Sequence, residues 1–259
     1  MIARNARSVA VVVVGGGVIG SSIALELRQR LRGAEVMVVE RDPTYARASS
    51  RLATGGVRQQ YGSALNVAMA RYGIAFYRRF DQLTAACGER SRAWFRQRGY
   101  LFLADEANAD RLEQRYRSQR AAGASVERWT ASQVAKHVPG LATHDVLFAL
   151  FGPEDGYLDP REVLGGFRAM AASAGVTYVH GMVSGIELAG GRVAGVRVQT
   201  DAGEHEIASP VVVNAAGAYA AAVGRAAGVT LPVDPVRQHL FRLELDAAPE
   251  PRIPMVFDP

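Results

Sequence analysis

Residues 9–40 limit what this chain can fold into more than any other stretch. Val9-Ala10-Val11-Val12-Val13-Val14 is a short, wholly apolar and mostly β-branched run, the pattern of a strand buried on both faces. Gly15-Gly16-Gly17-Val18-Ile19-Gly20 follows with no spacer, and then Ile23, Leu27 and Leu31 recur at helical spacing with Ala24 beside them. A second strand, Val36-Met37-Val38-Val39, ends on Glu40. The stretch reads as a βαβ unit with Gly-x-Gly-x-x-Gly at its first turn. Gly15 permits the sharp turn out of the strand, Gly17 lets a pyrophosphate approach the backbone, and Gly20 lets the helix pack close to the sheet. The helix start at Val18 and Ile19 offers N–H groups and partial positive charge to phosphates. Glu40, 20 residues after Gly20, is placed to accept hydrogen bonds from ribose hydroxyls. Glycine makes up 27 of 259 residues, so the bare triplet is weak. The strand, helix and acid around it carry the expectation of a bound dinucleotide. The competing reading is a glycine-rich turn in an unrelated α/β domain.

A chain of 259 residues suits one large or two small domains with a substantial core. Apolar content of 49% and charged content of 21% are ordinary for a globular protein. No apolar run approaches the ~20 residues of a membrane helix. The basic start and apolar run of Met1 to Val14 loosely mimic a signal peptide, but the run ends in the glycine loop rather than at a small-residue cleavage site. A cytoplasmic protein with no membrane span is the expectation. Cys87 is the sole cysteine and the histidines, at 137, 144, 180, 205 and 239, are scattered. The sequence therefore offers no internal disulfide and no metal-ligand spacing. The net charge of +5 is carried almost wholly by arginine, Lys136 being the one lysine. The arginines alternate with acids, as in Arg111-Leu112-Glu113-Gln114-Arg115, which favours a solvated surface over nucleic-acid binding.

After the Arg41-Asp42-Pro43 turn comes Ala48-Ser49-Ser50-Arg51-Leu52-Ala53-Thr54-Gly55-Gly56-Val57-Arg58-Gln59-Gln60-Tyr61. This stretch is too polar for core and reads as a second ligand-facing loop. Ser49, Ser50 and Thr54 can donate to phosphate or ribitol oxygens, and Gly55 and Gly56 allow backbone close to a flat ring. Arg58 can pair with a carboxylate or stabilise negative charge on a reduced cofactor. A surface turn with an exposed arginine is the alternative.

Together, Val-Val-Gly-Gly-Gly-Val-Ile-Gly, the Glu40-Arg41 pair and Ala-Ser-Ser-x-x-x-x-Gly-Gly-Val-Arg-Gln-Gln resemble the D-amino-acid oxidase-like family of FAD-dependent oxidoreductases. That family includes glycine and sarcosine oxidases and D-amino-acid dehydrogenases, and the second motif looks closest to the sarcosine oxidase β-subunit-like branch. The resemblance implies a Rossmann-like FAD-binding domain of the glutathione-reductase type with an inserted α+β substrate domain. It implies FAD as cofactor, an amine or amino acid as substrate, and O2 or another electron acceptor. Gly15, Gly17, Val18, Ile19, Gly20, Glu40, Arg41, Ser49, Ser50, Thr54, Gly55 and Gly56 are the expected cofactor contacts. Arg58 is the expected catalytic contact to flavin or substrate.

Further along, residues 64–86 read as one helix with a core stripe of Leu65, Met69, Tyr72, Phe76 and Phe80. Residues 94–103 read as a turn and a strand, 106–122 as a charged helix ended by Gly123, and 130–137 as a short helix with Thr130 as its N-cap. Gly156-Tyr157-Leu158-Asp159-Pro160 leads into a helix over 161–174, and residues 175–179 form another parallel strand. In relatives, the residue matching Val183 reads the adenine edge with its backbone. An antiparallel meander spans 186–208. Val211-Val212-Val213-Asn214-Ala215-Ala216-Gly217 reads as a buried parallel strand and turn; by resemblance Ala215 and Gly217 pass near the dinucleotide, while Asn214 serves equally as a turn residue. A last strand is expected over 231–241, with His239 either facing the flavin, as a second catalytic candidate, or sitting at an edge.

The expected segments are 1–82 and 153–230 for the FAD domain, with 83–152 and 231–259 for a substrate domain that is incomplete here. Relatives are longer, so a truncated chain, or one needing a partner subunit or a homo-oligomer, is the expectation. The alternatives are a non-catalytic FAD-binding subunit and an NAD-dependent dehydrogenase, which shares the βαβ motif but not the second loop.

Overall fold

The computed structural model describes residues 7–88, 91–241, 243–244 and 253–258. The chain divides into two compact units. The first comprises Met1–Ala53, Gln82–Ser91 and Pro160–His239; the second comprises Thr54–Asp81, Arg92–Asp159 and Leu240–Pro259. Residues 54–81, grouped with the first strand in the sequence reading, cluster with the second unit.

In the first unit, strand Val11–Val14 is buried at every position. It pairs in parallel with Val36–Glu40 on one side and Val212–Asn214 on the other, and Val36–Glu40 pairs in parallel with Thr177–His180. The result is a four-stranded parallel sheet. One face is covered by an antiparallel meander of Met182–Ala189, Arg192–Thr200 and Gly203–Ala208, to which Arg7–Ser8 adds in parallel. Val12, Val14, Met37 and Val39 from the sheet pack against Ile186, Val196, Val198 and Ile207 from the meander. With apolar partners on both faces, the central strands need no polar alternation. Helix Val18–Arg30 packs against helix Pro160–Ser173. Its buried line is Gly20, Ser21, Ala24 and Leu25, small residues that allow close approach, rather than the Ile23, Leu27, Leu31 row. Arg28 and Arg30 in its last turn complement the negative end of the helix.

The second unit holds a sheet in the spatial order Met255–Phe257, Tyr100–Ala104, Phe148–Gly152, Glu127–Thr130. The first pair is parallel and the others antiparallel. Helices Ala64–Tyr77, Ala109–Ala121 and Ala131–His137 accompany it. Thr130 caps the last of these in a full capping box with Gln133, satisfying two otherwise orphaned N–H groups.

The expected α/β architecture with a parallel sheet is present, and three local expectations are corrected. Residues 64–86 form two helices, Ala64–Tyr77 and Phe80–Ala85. In the first, Val67 and Ile74 are buried, whereas Leu65, Met69 and Tyr72 are 70%, 56% and 69% exposed. That helix is apolar nearly all round, so periodicity could not select its inner face. Strand Val212–Asn214 is only half-buried, because it stands at the sheet edge with one neighbour. Residues 231–241 form no strand; Pro232 and Pro235 have no N–H to give a ladder. Among the described residues no helix is long and apolar enough to cross a membrane.

The tightest packing demand falls on Gly20, where a Cβ would strike the Gly15 carbonyl oxygen. Gly20→Ala is expected to lower stability by about 1–3 kcal/mol, the usual range for overpacking, measured by denaturant unfolding. Unchanged stability would show that the helix does not seat here.

Candidate functional site

Register brings the candidate residues of the first unit to one edge. Val14 pairs with Val39 and with Asn214, so Gly15, Glu40 and Ala215 each lie one residue beyond a paired position, at the carboxyl ends of three adjacent parallel strands. Such an edge is where open α/β sheets take ligands. Gly15 turns with φ +100°, and a Cβ there would meet the Ala215 carbonyl. Gly17 differs: a Cβ there would meet only Ser50 Oγ, at 3.1 Å. Internal packing does not require glycine at 17, which fits a loop that something from outside approaches.

The helix that starts at Val18 has no side-chain N-cap bond and no acid in its first turn. Its positive end is therefore not neutralised by a carboxylate of its own. The Val18 N–H donates to Ser50 Oγ at 3.0 Å, which leaves the Ser50 hydroxyl proton to donate elsewhere. Glu40 Oε2 accepts from the Gly16 N–H at 2.7 Å and Oε1 from the Asp42 N–H at 2.9 Å. Each oxygen keeps a further lone pair for an incoming hydroxyl. Arg41 lies over the Tyr219 ring at 3.7 Å. Gly217 is exposed with φ +54°. Val183 is half-buried, and the register shift that follows it before Gly185 interrupts the ladder there. Ile19 is 61% exposed and Ser49 is exposed. The donor set and the open glycine loop fit a dinucleotide diphosphate with its ribose at Glu40.

Behind this loop stands a layer that the sequence reading missed. Ser21 Oγ donates to the Gly16 carbonyl at 2.8 Å, and Tyr178 OH donates to Ser21 Oγ at 3.0 Å. Tyr45 is buried with φ 55°, its hydroxyl 2.7 Å from where a Gly16 Cβ would sit. Burial pushes both phenols above the ordinary tyrosine range. The Arg168 guanidinium lies 4.7 Å from the Tyr45 ring and 5.6 Å from that of Tyr178. Arg168 and Tyr178 also line a cavity of about 490 Å³ whose wall contains none of the glycine-loop residues. No local pattern marks Tyr45, Arg168 or Tyr178, since each acts across the fold.

Thr54, Gly55, Gly56 and Arg58 belong to the second unit. The Gly55 carbonyl accepts from the Leu158 N–H at 3.0 Å, and Gly56 and Val57 pair antiparallel with Tyr157 and Gly156. A Cβ on Gly56 would come within 3.1 Å of Met255 Sδ and the Tyr100 ring, so close packing within the unit already requires this glycine. Thr54 is exposed. The Arg58 guanidinium lies 5.0, 5.5 and 5.4 Å from the rings of Tyr61, Tyr100 and Phe102, an arrangement that favours a cation. Its Nε is buried without a protein acceptor among the described residues. Asp155, which the sequence reading did not single out, is fully buried. It accepts from the Gln59 N–H at 2.8 Å and from Gln60 Nε2 at 3.2 Å. Burial pushes its carboxyl up to about 7, against the pull of those two hydrogen bonds and of Arg58. His239 is exposed and ends the first unit in an irregular segment, not on a strand.

Comparison with known proteins follows the same lines. The DAO family profile, FAD dependent oxidoreductase, matches residues 10–258. FAD-dependent oxidoreductase domain-containing protein 1 of Xenopus laevis is 35% identical over 279 residues, spanning 96% of this chain and 56% of that protein. The crystal structure of glycine oxidase from Geobacillus kaustophilus aligns with a TM-score of 0.73 at 28% identity, over 87% of this chain and 60% of that one. L-proline dehydrogenase from P. horikoshii aligns with a TM-score of 0.75 at 28% identity, over 87% and 57%. The chain thus spans a little over half the length of these relatives.

Asp155 gives stability a pH dependence. Its folded value of about 7 stands above the ordinary 3.8, so the folded chain keeps a proton that the unfolded chain releases. The contribution is complete below pH ~4 and is lost as pH rises through ~7, by up to about 4 kcal/mol for three units. The unfolding free energy of the wild type minus that of Asp155→Asn should fall across this window. A difference independent of pH would refute the assignment.

Proposed function

The chain belongs to the FAD dependent oxidoreductase family, and on that premise we propose that it oxidises the C–N bond of an amine or amino acid. The observation that carries the cofactor half of this reading is the bare positive helix end between Gly15 and Glu40, at the carboxyl edge of the parallel sheet. The family's dependence on FAD removes the nicotinamide-dehydrogenase alternative. Relatives named glycine oxidase and L-proline dehydrogenase support the substrate class.

Within this reading each residue has a defined task. Gly17 keeps a side chain out of the pyrophosphate path while Gly15 makes the turn and Gly20 seats the helix, and the N–H groups of the first helical turn, at Ile19 and Gly20, donate to its oxygens. Ser50, already fixed by the Val18 N–H, turns its own proton toward a phosphate oxygen. Glu40, held from two sides by backbone N–H groups, accepts from ribose hydroxyls. Arg41, Ser49, Thr54, Gly55, Gly56, Val183, Ala215 and Gly217 complete the proposed contacts to FAD. Bound FAD supplies the hydride acceptor for the oxidation.

Arg58 receives the substrate carboxylate. Its Nε has no acceptor among the described residues, and three aromatic rings stand near the guanidinium. A planar fork on a planar carboxylate gives both affinity and orientation. His239, exposed on an irregular segment, has less geometric support than Arg58. The imine product would be hydrolysed by water, with O2 or another acceptor taking up the two electrons.

Purified chain supplied with FAD is expected to hold flavin and to lose its visible absorption when an amino acid such as glycine, sarcosine, proline or a D-amino acid is added without oxygen. Arg58→Met should weaken the response to amino acids about 10- to 100-fold, the value of hydrogen bonds to a charged group, with flavin content unchanged. A chain that binds no FAD would overturn the proposed cofactor contacts. Flavin that no amine or amino acid reduces would overturn the substrate class.

A further inference from the structure

The segment bearing Arg58 is clamped along its length by one distant stretch, residues 155–158. The Leu158 N–H holds the Gly55 carbonyl, and Gly56 and Val57 pair with Tyr157 and Gly156. On the other side of Arg58, the Asp155 carboxylate takes the Gln59 N–H with one oxygen and the Gln60 amide with the other. We propose that Asp155 is the positioning residue for Arg58: by holding Gln59 and Gln60 it fixes where the guanidinium is presented.

Three further observations support this assignment. Asp155 is fully buried, and a buried carboxylate costs several kcal/mol of desolvation unless its lone pairs are used. Here the two bonds go to the neighbours of Arg58 and not to Arg58 itself, so the guanidinium stays open to an external anion. Gln59 and Gln60 are secured in turn. Gln59 Nε2 donates to Glu154 Oε2 at 3.1 Å and Gln59 Oε1 accepts from the Ser125 N–H at 3.3 Å. Gln60 Nε2 also donates to the Tyr100 carbonyl at 2.9 Å. Tyr100 is one of the rings facing Arg58, so one amide links the carboxylate, the strand and the aromatic wall. The charged groups acting on Asp155 are Arg58, which stabilises its ionised form, and Glu154, which opposes it. Glu154 is itself paired with Arg78 at 3.5 Å. Lastly, a Cβ on Gly152 would strike Asp155 Oδ2 and crowd Gln60 Nε2, so glycine at this strand end makes the room in which carboxylate and amide meet.

The proposal rests on the reading that Arg58 takes a carboxylate, and its test separates the two. The FAD-loaded chain is titrated with benzoate, a carboxylate with no amine to oxidise, and the Arg58 Nε–H resonance is followed by ¹⁵N NMR, assigned with Arg58→Lys. Asp155→Ala should weaken benzoate binding about tenfold, as expected for loss of a charged hydrogen bond, and should displace the Arg58 resonance while flavin content holds. Asp155→Asn, which keeps an acceptor for the Gln59 N–H, should recover most of the affinity. If Asp155→Ala fails to fold, Gln60→Met removes one tether alone and should displace the same resonance. An Arg58 resonance unmoved in a folded variant, with benzoate affinity unchanged, overturns the positioning role. A wild type that ignores benzoate overturns the carboxylate reading of Arg58 and leaves the resonance to decide on Asp155.

Discussion

The approach of Gly20 to the Gly15 carbonyl sets the geometry of the first unit. It seats helix Val18–Arg30 against the turn that ends strand Val11–Val14. Everything useful about the glycine loop follows from that seat. The helix must begin immediately after the strand, so its free N–H groups face the sheet edge. The parallel register then brings Glu40 and Ala215 to the same edge. Glu40 ends its strand in register with His180, and its carboxylate is oriented by accepting from the Gly16 and Asp42 N–H groups. The back layer of Ser21 and Tyr178 holds the Gly16 carbonyl from behind. A loop fixed from both sides loses little conformational freedom when a ligand arrives.

The second unit solves a different problem. Arginine carries rotamer freedom that binding must remove, and Arg58 has that freedom taken away in advance. Its backbone is clamped by residues 155–158 and its guanidinium is enclosed by Tyr61, Tyr100 and Phe102. Aromatic faces restrain a cation without supplying a competing anion, whereas a direct ion pair with Asp155 would have occupied the guanidinium.

The glycine loop was legible in the sequence because its requirements are local. Three glycines, a preceding valine run and Glu40 lie within a single βαβ unit, although the Gly15 turn also packs against the distant Ala215 carbonyl. The parallel strand at 177–180, the meander and the Thr130 cap were legible for the same reason. What escaped was long-range or ambiguous. Asp155 meets Gln59 across 96 residues, and Tyr178 meets Ser21 across 157; no spacing rule connects such pairs. Helix Ala64–Tyr77 has apolar residues on every side, so of the row chosen from periodicity Leu65, Met69 and Tyr72 face outward, while Phe76 is half-buried and Phe80, beyond the helix end, is buried. Valines at 211–213 read as core, but position in the sheet, not composition, decides burial, and that segment is an edge. The family resemblance added FAD, which local patterns alone left open between flavin and nicotinamide.

Charge composition gains a physical meaning from the same contacts. Lys136 is the one lysine among 30 basic residues, a bias that looked at first like a solvated surface. Among the described residues, five arginines lie against aromatic rings, including Arg96 beside Trp94 and Arg128 over Phe148. Arg41 lies over Tyr219, Arg58 among Tyr61, Tyr100 and Phe102, and Arg168 beside Tyr45 and Tyr178. A lysine ammonium is compact and strongly hydrated, while a guanidinium is planar, weakly hydrated and stacks on rings. Lysine at these positions would keep the formal charge and lose the packing. Arginine at 58 and 168 therefore supplies flat cations that are half-buried against tyrosine rings, and Arg41 one that lies over a ring at the surface.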